Sequence, residues 1–149
     1  MTTPDPGPMG AALEAGRRAL LAGEAPIGAC IDWEGRRVSS HNRVVSDRDP
    51  TAHAEMLVIR EAAREWRDWQ AVASRLYVTV EPCPMCIAAC HYAGIREIVY
   101  AASLADFHAI TGDELLATLP SDALLTGGCC RDESMELLQA WAARRPGAA

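Results

Sequence analysis

Four residues of this chain could do chemistry together: His53 and Glu55, two apart, and Cys83 and Cys86, three apart. Each pair falls at the start of a stretch that reads as a helix. The Cys83-Pro-Met-Cys86 spacing puts both sulfurs on one face of a helical turn, where the positive end of the helix dipole favours thiolate over thiol. One imidazole and two thiolates form a donor set for zinc. Three protein ligands leave a tetrahedral Zn²⁺ one position for water, the mark of a catalytic rather than a closed structural centre. Taken singly, each residue has a plainer reading. A lone Cys-x-x-Cys serves equally as a redox pair, a helix-start histidine lies on the surface, and a first-turn glutamate answers the dipole. Their joint occurrence at two helix starts favours the metal.

A structural zinc module, binding partners without catalysis, is the rival from another class, and it needs a fourth ligand. Cys90 follows Cys83 by seven residues, about 10 Å along a helix axis, too far to share one ion with it. It reads as core. Cys30, Cys129 and Cys130 stay open as fourth ligands, although each is isolated in sequence from the two ligand helices and buried free cysteine is common.

The elements that must position these residues follow from periodicity and punctuation. Met9–Ala22 has an apolar stripe at helical spacing, stopped by Gly23. Pro26–Trp33 and Arg36–Val45 flank the turn signal Glu34-Gly35 and read as an antiparallel hairpin. Asp47–Pro50 is loop. Asp49 then caps a helix running from Ala52 to Trp66, with proline in its first turn. Arg75–Val80 is a buried strand ended by Glu81-Pro82, Cys83–Ala93 a helix stopped by Gly94, and Ile95–Ala102 a further strand. Strand, helix and strand of this length imply a right-handed crossover onto a parallel pair. Beyond it, Gly112–Leu119 reads as a short helix, Ala123–Thr126 as a fifth strand and Arg131–Arg144 as a last helix. The expected fold is α/β, a three-layer α/β/α sandwich around a mixed five-stranded sheet. It is read as one domain over 1–149, with a flexible leader at 1–8 and a flexible tail at 145–149.

Composition narrows the partners. Half of the 149 residues are apolar and 23% are charged, the balance of a globular protein, and no window supplies the roughly 18 apolar residues of a membrane span. Neither a secretory signal nor a transit peptide is visible in Met1–Pro8. A cytoplasmic location is expected by default, and six irregularly spaced cysteines suit a reducing compartment. The net charge of −6 argues against a nucleic-acid partner and for a small substrate, as do Asp132, Glu133 and Glu136 in the last helix beside Arg131, Arg144 and Arg145.

His53-Ala-Glu55 followed by Pro82-Cys83-Pro-Met-Cys86 resembles the signature of the cytidine deaminase-like superfamily, His-x-Glu with Pro-Cys-x-x-Cys. The resemblance runs from about Pro26 to Ala102 through Pro26-Ile-Gly-Ala29, Asn42, Asp49-Pro-Thr-Ala-His-Ala-Glu55, Leu76-Tyr-Val-Thr-Val-Glu-Pro-Cys83 and Ala93-Gly-Ile-Arg96. Asp49–Glu55 is similar to both guanine deaminases and tRNA adenosine deaminases, and Pro84-Met85 more to guanine deaminase.

The resemblance implies a hydrolytic deaminase in which Zn²⁺ lowers the pKa of its water and supplies hydroxide. Glu55 would be the proton shuttle, serving the water, the ring nitrogen and the departing ammonia. Asn42 would orient the base, the Ala54 N–H would donate to substrate with Cys83 N–H as a possible second donor, and Pro26 would lie in the substrate pocket. Tyr92, where relatives carry an aromatic, would stack on the ring. Asp106, Asp113 and Glu114 are candidates for the purine amine. Phe107–Thr111 departs from the guanine deaminase pattern, and the aromatic C-terminal closure of that family is absent from Arg145–Ala149. The favoured substrate is a purine base or nucleoside, guanine-like first, with tRNA adenosine and then cytosine or cytidine as alternatives. The family also implies a homodimer, for which Trp66 and Trp69 are contacts if they are not core.

Overall fold

Strand β1, Gly28–Trp33, separates two apolar layers by simple alternation. Ala29, Ile31 and Trp33 join Leu76 and Val78 of β3, Arg75–Val80, in a core shared with Ala54, Val58 and Ala62 of helix α2, Ala54–Glu65, and with its C-cap Trp66. Cys90 of helix α3, Pro84–Ala93, completes that layer, as the sequence suggested for it. On the other face Gly28 lies against helix α1, Gly7–Leu21, so closely that a side chain at Gly28 would collide with the Ala12 carbonyl and the Gly16 amide. Ala12, Ala15, Gly16 and Ala19 are the buried face of α1. Small residues on both partners let the helix sit directly on the strand. The result is helix, sheet and helix in three layers, seen here in a computed structural model that describes residues 7–112, 126–128 and 131–144.

The sheet among the described residues has four strands in the order β2-β1-β3-β4, with β2 Arg36–His41 and β4 Glu97–Ala102. β1 pairs antiparallel with β2 and β3, and β3 pairs parallel with β4, giving the mixed sheet expected. The β1–β2 hairpin closes through Glu34 and Gly35 at φ 54° and 83°, the double left-handed turn whose twist matches the flanking strands. The proposed fifth strand, Ala123–Thr126, lies outside the described residues except for Thr126, which is not in a strand. The chain divides into two compact units, Met1–Leu119 and Pro120–Ala149, where the sequence reads as one domain. Among the described residues all the strand pairing belongs to the first unit and ends with β4. In the second, helix α5 spans Arg131–Ala143.

Four local expectations are corrected. α1 already begins at Gly7, inside the segment read as a leader, whereas the tail at 145–149 lies outside the described residues. β2 stops at His41 rather than Val45, because the next peptides leave the ladder for turns. Asp47 N–H bonds to Arg43 O, Asp49 N–H bonds to Val44 O, and the N–H groups of Val45 and Ser46 go to the Glu24 carboxylate. α2 starts at Ala54 with His53 as its N-cap, since Asp49 spends its carboxylate on the N–H and hydroxyl of Thr51. A helix α4, Leu104–Thr111, occupies the stretch to which no element was assigned. Its C-cap is Gly112, first residue of the expected helix, whose remainder lies outside the described residues.

Trp33, Trp66 and Trp69 form a run with ring centroids 5.5 and 6.5 Å apart, and the Arg36 guanidinium lies over the first two. Trp33 and Trp66 are therefore core residues, and Trp69 packs on them while its indole N–H donates to Ser74 Oγ at 2.7 Å. No helix among the described residues is long and apolar enough to cross a membrane.

Candidate active site

His53 and Cys83 are both N-caps, of α2 and α3, and the strand order brings the two caps together. His53 Nδ1 lies 3.6 Å from the sulfur of Cys83 and 3.6 Å from that of Cys86. All three donor atoms fall within 4.8 Å of one another. Zinc bonds of about 2.0–2.1 Å to nitrogen and 2.3 Å to sulfur, at a tetrahedral angle, put the two atoms roughly 3.6 Å apart, so the donor set fits this ion. The thiols share a proton unevenly. Cys83 is pulled down to about 4, first by the hydrogen bond from Cys86 and then, against the effect of burial, by His53. Cys86 is pushed up by its bond to Cys83 and by burial. A thiol with a lowered pKa at a helix start is disposed to bind a cation as thiolate.

Cys30 and Cys90 do not join the cluster. Both are buried and their thiols are raised to about 11, mainly by desolvation. Cys30 sits on the β1 position that alternates away from Ala29 and Ile31, and Cys129 and Cys130 lie outside the described residues.

Glu55 sits one residue inside α2, only 4% exposed, and burial, the dominant effect, raises its carboxyl above the usual range. It lines a cavity of about 260 Å³ together with His53, Ala54, Cys83 and Asn42. A buried carboxylate whose pKa is raised holds a proton more readily than an exposed one and is suited to take up and release protons. Ala54 opens α2, where the first amides have no intrahelical carbonyl to bond. Asn42, 6% exposed, bonds through Nδ2 to Glu24 Oε2 at 3.3 Å.

The remaining sequence candidates fall elsewhere. Pro26 is exposed, and its neighbours Ala25 and Ile27 line the cavity instead. Tyr92 is 90% exposed and faces a separate shallow depression with Ile87 and His91. Asp106 closes a capping box: it accepts from Ser103 N–H at 2.9 Å, while Ser103 Oγ accepts from Asp106 N–H at 3.0 Å. Those bonds hold its carboxyl below the usual range and occupy it at the helix start rather than in the cavity. Asp113 and Glu114 lie outside the described residues.

Parts of the wall that were not anticipated include Glu24, the Val44-Val45 turn, Val80-Glu81 at the end of β3, and Phe107 of α4. Ser103-Leu-Ala-Asp106 ahead of an apolar run is a capping-box pattern and could have revealed α4. It would have brought Phe107, the chain's one phenylalanine, into view.

Residues 5–102 match the family model described as the cytidine and deoxycytidylate deaminase zinc-binding region. The match covers more than half of the chain and contains all three metal donors and Glu55. The chain belongs to this family. It is 48% identical over 99 residues to tRNA(Ile)-lysidine synthase of Thermus thermophilus, covering 66% of this chain and 18% of that protein. It is 45% identical over 92 residues to the tRNA-specific adenosine deaminase of Aquifex aeolicus, covering 61% of each. The chain thus spans less than two-thirds of the length of these curated relatives. Among solved structures, guanine deaminase from Bacillus subtilis superimposes with a TM-score of 0.72 at 28% identity, over 95% of this chain and 97% of that one. The fold is thus the α/β fold of the cytidine deaminase-like proteins, and within the family's zinc-binding region His53, Cys83 and Cys86 are positioned so that they could hold the ion.

Proposed function

We propose that the chain is a hydrolase that replaces the exocyclic amine of a purine base or nucleoside with oxygen and releases ammonia, guanine-like aminopurines being its first substrates. The observation that carries this reading is that two of the three clustered metal donors, His53 and Cys83, line one cavity together with the buried Glu55, with Cys86 completing the donor set beside them. Bound zinc supplies a Lewis acid that makes water nucleophilic at neutral pH. The Glu55 carboxylate would take one proton from the attacking water and pass it to the ring nitrogen beside the attacked carbon, then take the second from the added hydroxyl and pass it to the amine, which leaves as ammonia. One carbon–oxygen bond forms, one carbon–nitrogen bond breaks, and water is consumed. Asn42 offers both an acceptor and a donor to the ring edge. Phe107 and Val44-Val45 supply apolar wall for a flat ring. The near-complete superposition on guanine deaminase supports the free base.

A second reading is adenosine within a tRNA, favoured by the 45% identity to a tRNA-specific adenosine deaminase. The net charge of −6 does not weigh against a nucleic-acid substrate, because a total says nothing about one local surface. Arg18, Arg43 and Arg64 edge a single depression, although Arg43 and Arg64 are paired with Asp47 and Glu61.

The test is ammonia release by the zinc-loaded chain from guanine, guanosine, adenosine, cytidine and an anticodon-stem RNA, with metal content measured in parallel. Guanine turnover is expected. Turnover of the RNA alone transfers the assignment to the second reading, and stoichiometric zinc with no ammonia from any substrate overturns both.

A further inference from the structure

Glu24 is a buried carboxylate, 4% exposed, that the deamination chemistry does not use. Its backbone is fixed by the end of α1. Gly23, at φ 79°, turns the chain left-handed, and the Glu24 N–H returns to Ala19 O at 2.9 Å in the Schellman manner. The side chain is then aimed at the segment that follows β2. Oε2 accepts from Asn42 Nδ2 at 3.3 Å and from Val45 N–H at 3.0 Å, and Oε1 accepts from Ser46 N–H at 2.6 Å. Burial opposes ionisation, but the N–H donors of Val45 and Ser46 outweigh it and hold the carboxyl below its usual range.

An ionised carboxylate only accepts hydrogen bonds. Of the two orientations of the Asn42 amide, the one with its oxygen toward Glu24 would set two acceptors against each other, so the nitrogen must face Glu24. The Asn42 oxygen has no protein partner among the described residues, yet it is not sealed from solvent, and Asn42 lines the cavity. The same carboxylate fixes Val45, which lines the cavity as well.

We propose that Glu24 is a positioning residue that locks the Asn42 side-chain amide in one orientation, leaving its oxygen and its second N–H to the substrate ring in a fixed order. The proposal rests on the deaminase reading for the identity of that ring, and on the geometry alone for the lock. Specificity follows from the order. A ring edge is read by where its donor and acceptor fall, and a flipped amide reads the opposite pattern. A neutral amide at position 24 brings its own N–H groups among three donors, so one of the three bonds must break or invert.

The experiment combines kinetics with side-chain NMR on the zinc-loaded full chain. In ¹⁵N-labelled protein the Asn42 amide pair, assigned by its loss in Asn42→Ala, is expected to show one proton protected from exchange. That protection should vanish in Glu24→Gln and persist in Glu24→Asp, which keeps the charge and also covers the case of a Gln variant that does not fold. kcat/KM for the best substrate should fall about 10- to 100-fold in Glu24→Gln, the scale of a misplaced substrate. Glu24→Asp should lie between it and the wild type. The double variant Glu24→Gln/Asn42→Ala should lose clearly less than the product of the two single losses, because the part of the Glu24 effect that runs through Asn42 is already gone and only the part through Val45 remains. Additive losses, or an Asn42 amide unchanged by Glu24→Gln, overturn the proposal. A wild type inactive on every purine overturns the substrate reading instead, and the amide signal still decides whether Glu24 holds Asn42.

Discussion

The helices that border the cavity, α2, α3 and α4, leave their N-caps with nearly the same backbone: φ/ψ of −73°/152° at His53, −69°/168° at Cys83 and −78°/163° at Ser103. They spend that conformation differently. Ser103 turns its hydroxyl back on the helix and Asp106 answers it, satisfying two amides that would otherwise lack partners. His53 and Cys83 make no side-chain cap at all and turn toward each other. A good cap contributes about 1 kcal/mol, which α2 and α3 forgo and α4 retains. An extended residue at a helix start whose side chain is no capper marks function here, and the Ser-x-x-Asp start marks stability.

The comparison can be broken or sharpened at several points. The largest effect belongs to the residue behind the uncapped His53. Glu55→Gln should lower kcat/KM by about 10²- to 10⁴-fold with zinc still stoichiometric, and loss of zinc along with activity would show Glu55 to be a ligand instead. Next, Cys83→Ser should exchange function for stability: metal analysis should find zinc lost, while thermal unfolding of the metal-free protein should show an unchanged or slightly higher midpoint. The gain should be at most about 1 kcal/mol, since serine caps well. Ser103→Ala should do the reverse, costing about 0.5–2 kcal/mol in denaturant unfolding with zinc content untouched.

The smallest effect is the pH dependence of Asp106. Its folded pKa is depressed below the ordinary 3.8 by the Ser103 bonds, so its stabilisation is fully present above that pH and is lost as pH falls through the folded value. The gap in melting temperature between wild type and Asp106→Asn should therefore be constant near neutrality and close in acid. A rise in KM for guanine in the same variant, rather than this stability signature, would return Asp106 to the substrate site.

The metal donors and Glu55 were legible because their signal is local. Two short spacings, each at a helix start, need nothing from the rest of the chain to be recognised. The hairpin was legible for the same reason, since Glu34-Gly35 carries its own turn chemistry. Where β2 ends was not, because the groups that draw the backbone off the ladder include Glu24, a side chain 21 and 22 residues distant from Val45 and Ser46. Asp49 misled through a competing local bond: it holds Thr51 and leaves His53 to begin the helix. Tyr92 and Pro26 were placed by resemblance to relatives, and the side on which a helix residue faces is decided by what covers that helix.

The sequence by itself determined the kind of ion and the class of reaction, because ligand chemistry is a property of residue type and short spacing. The tertiary structure alone decided the shape of the cavity. Asn42, Glu24, Val45 and Phe107 come from the end of a strand, the end of one helix, a turn and the first turns of another helix. They meet only because the order β2-β1-β3-β4 brings those ends to one edge of the sheet. A side chain's type is fixed in the chain, but its partners are fixed by strand order and register, which no short window of sequence contains.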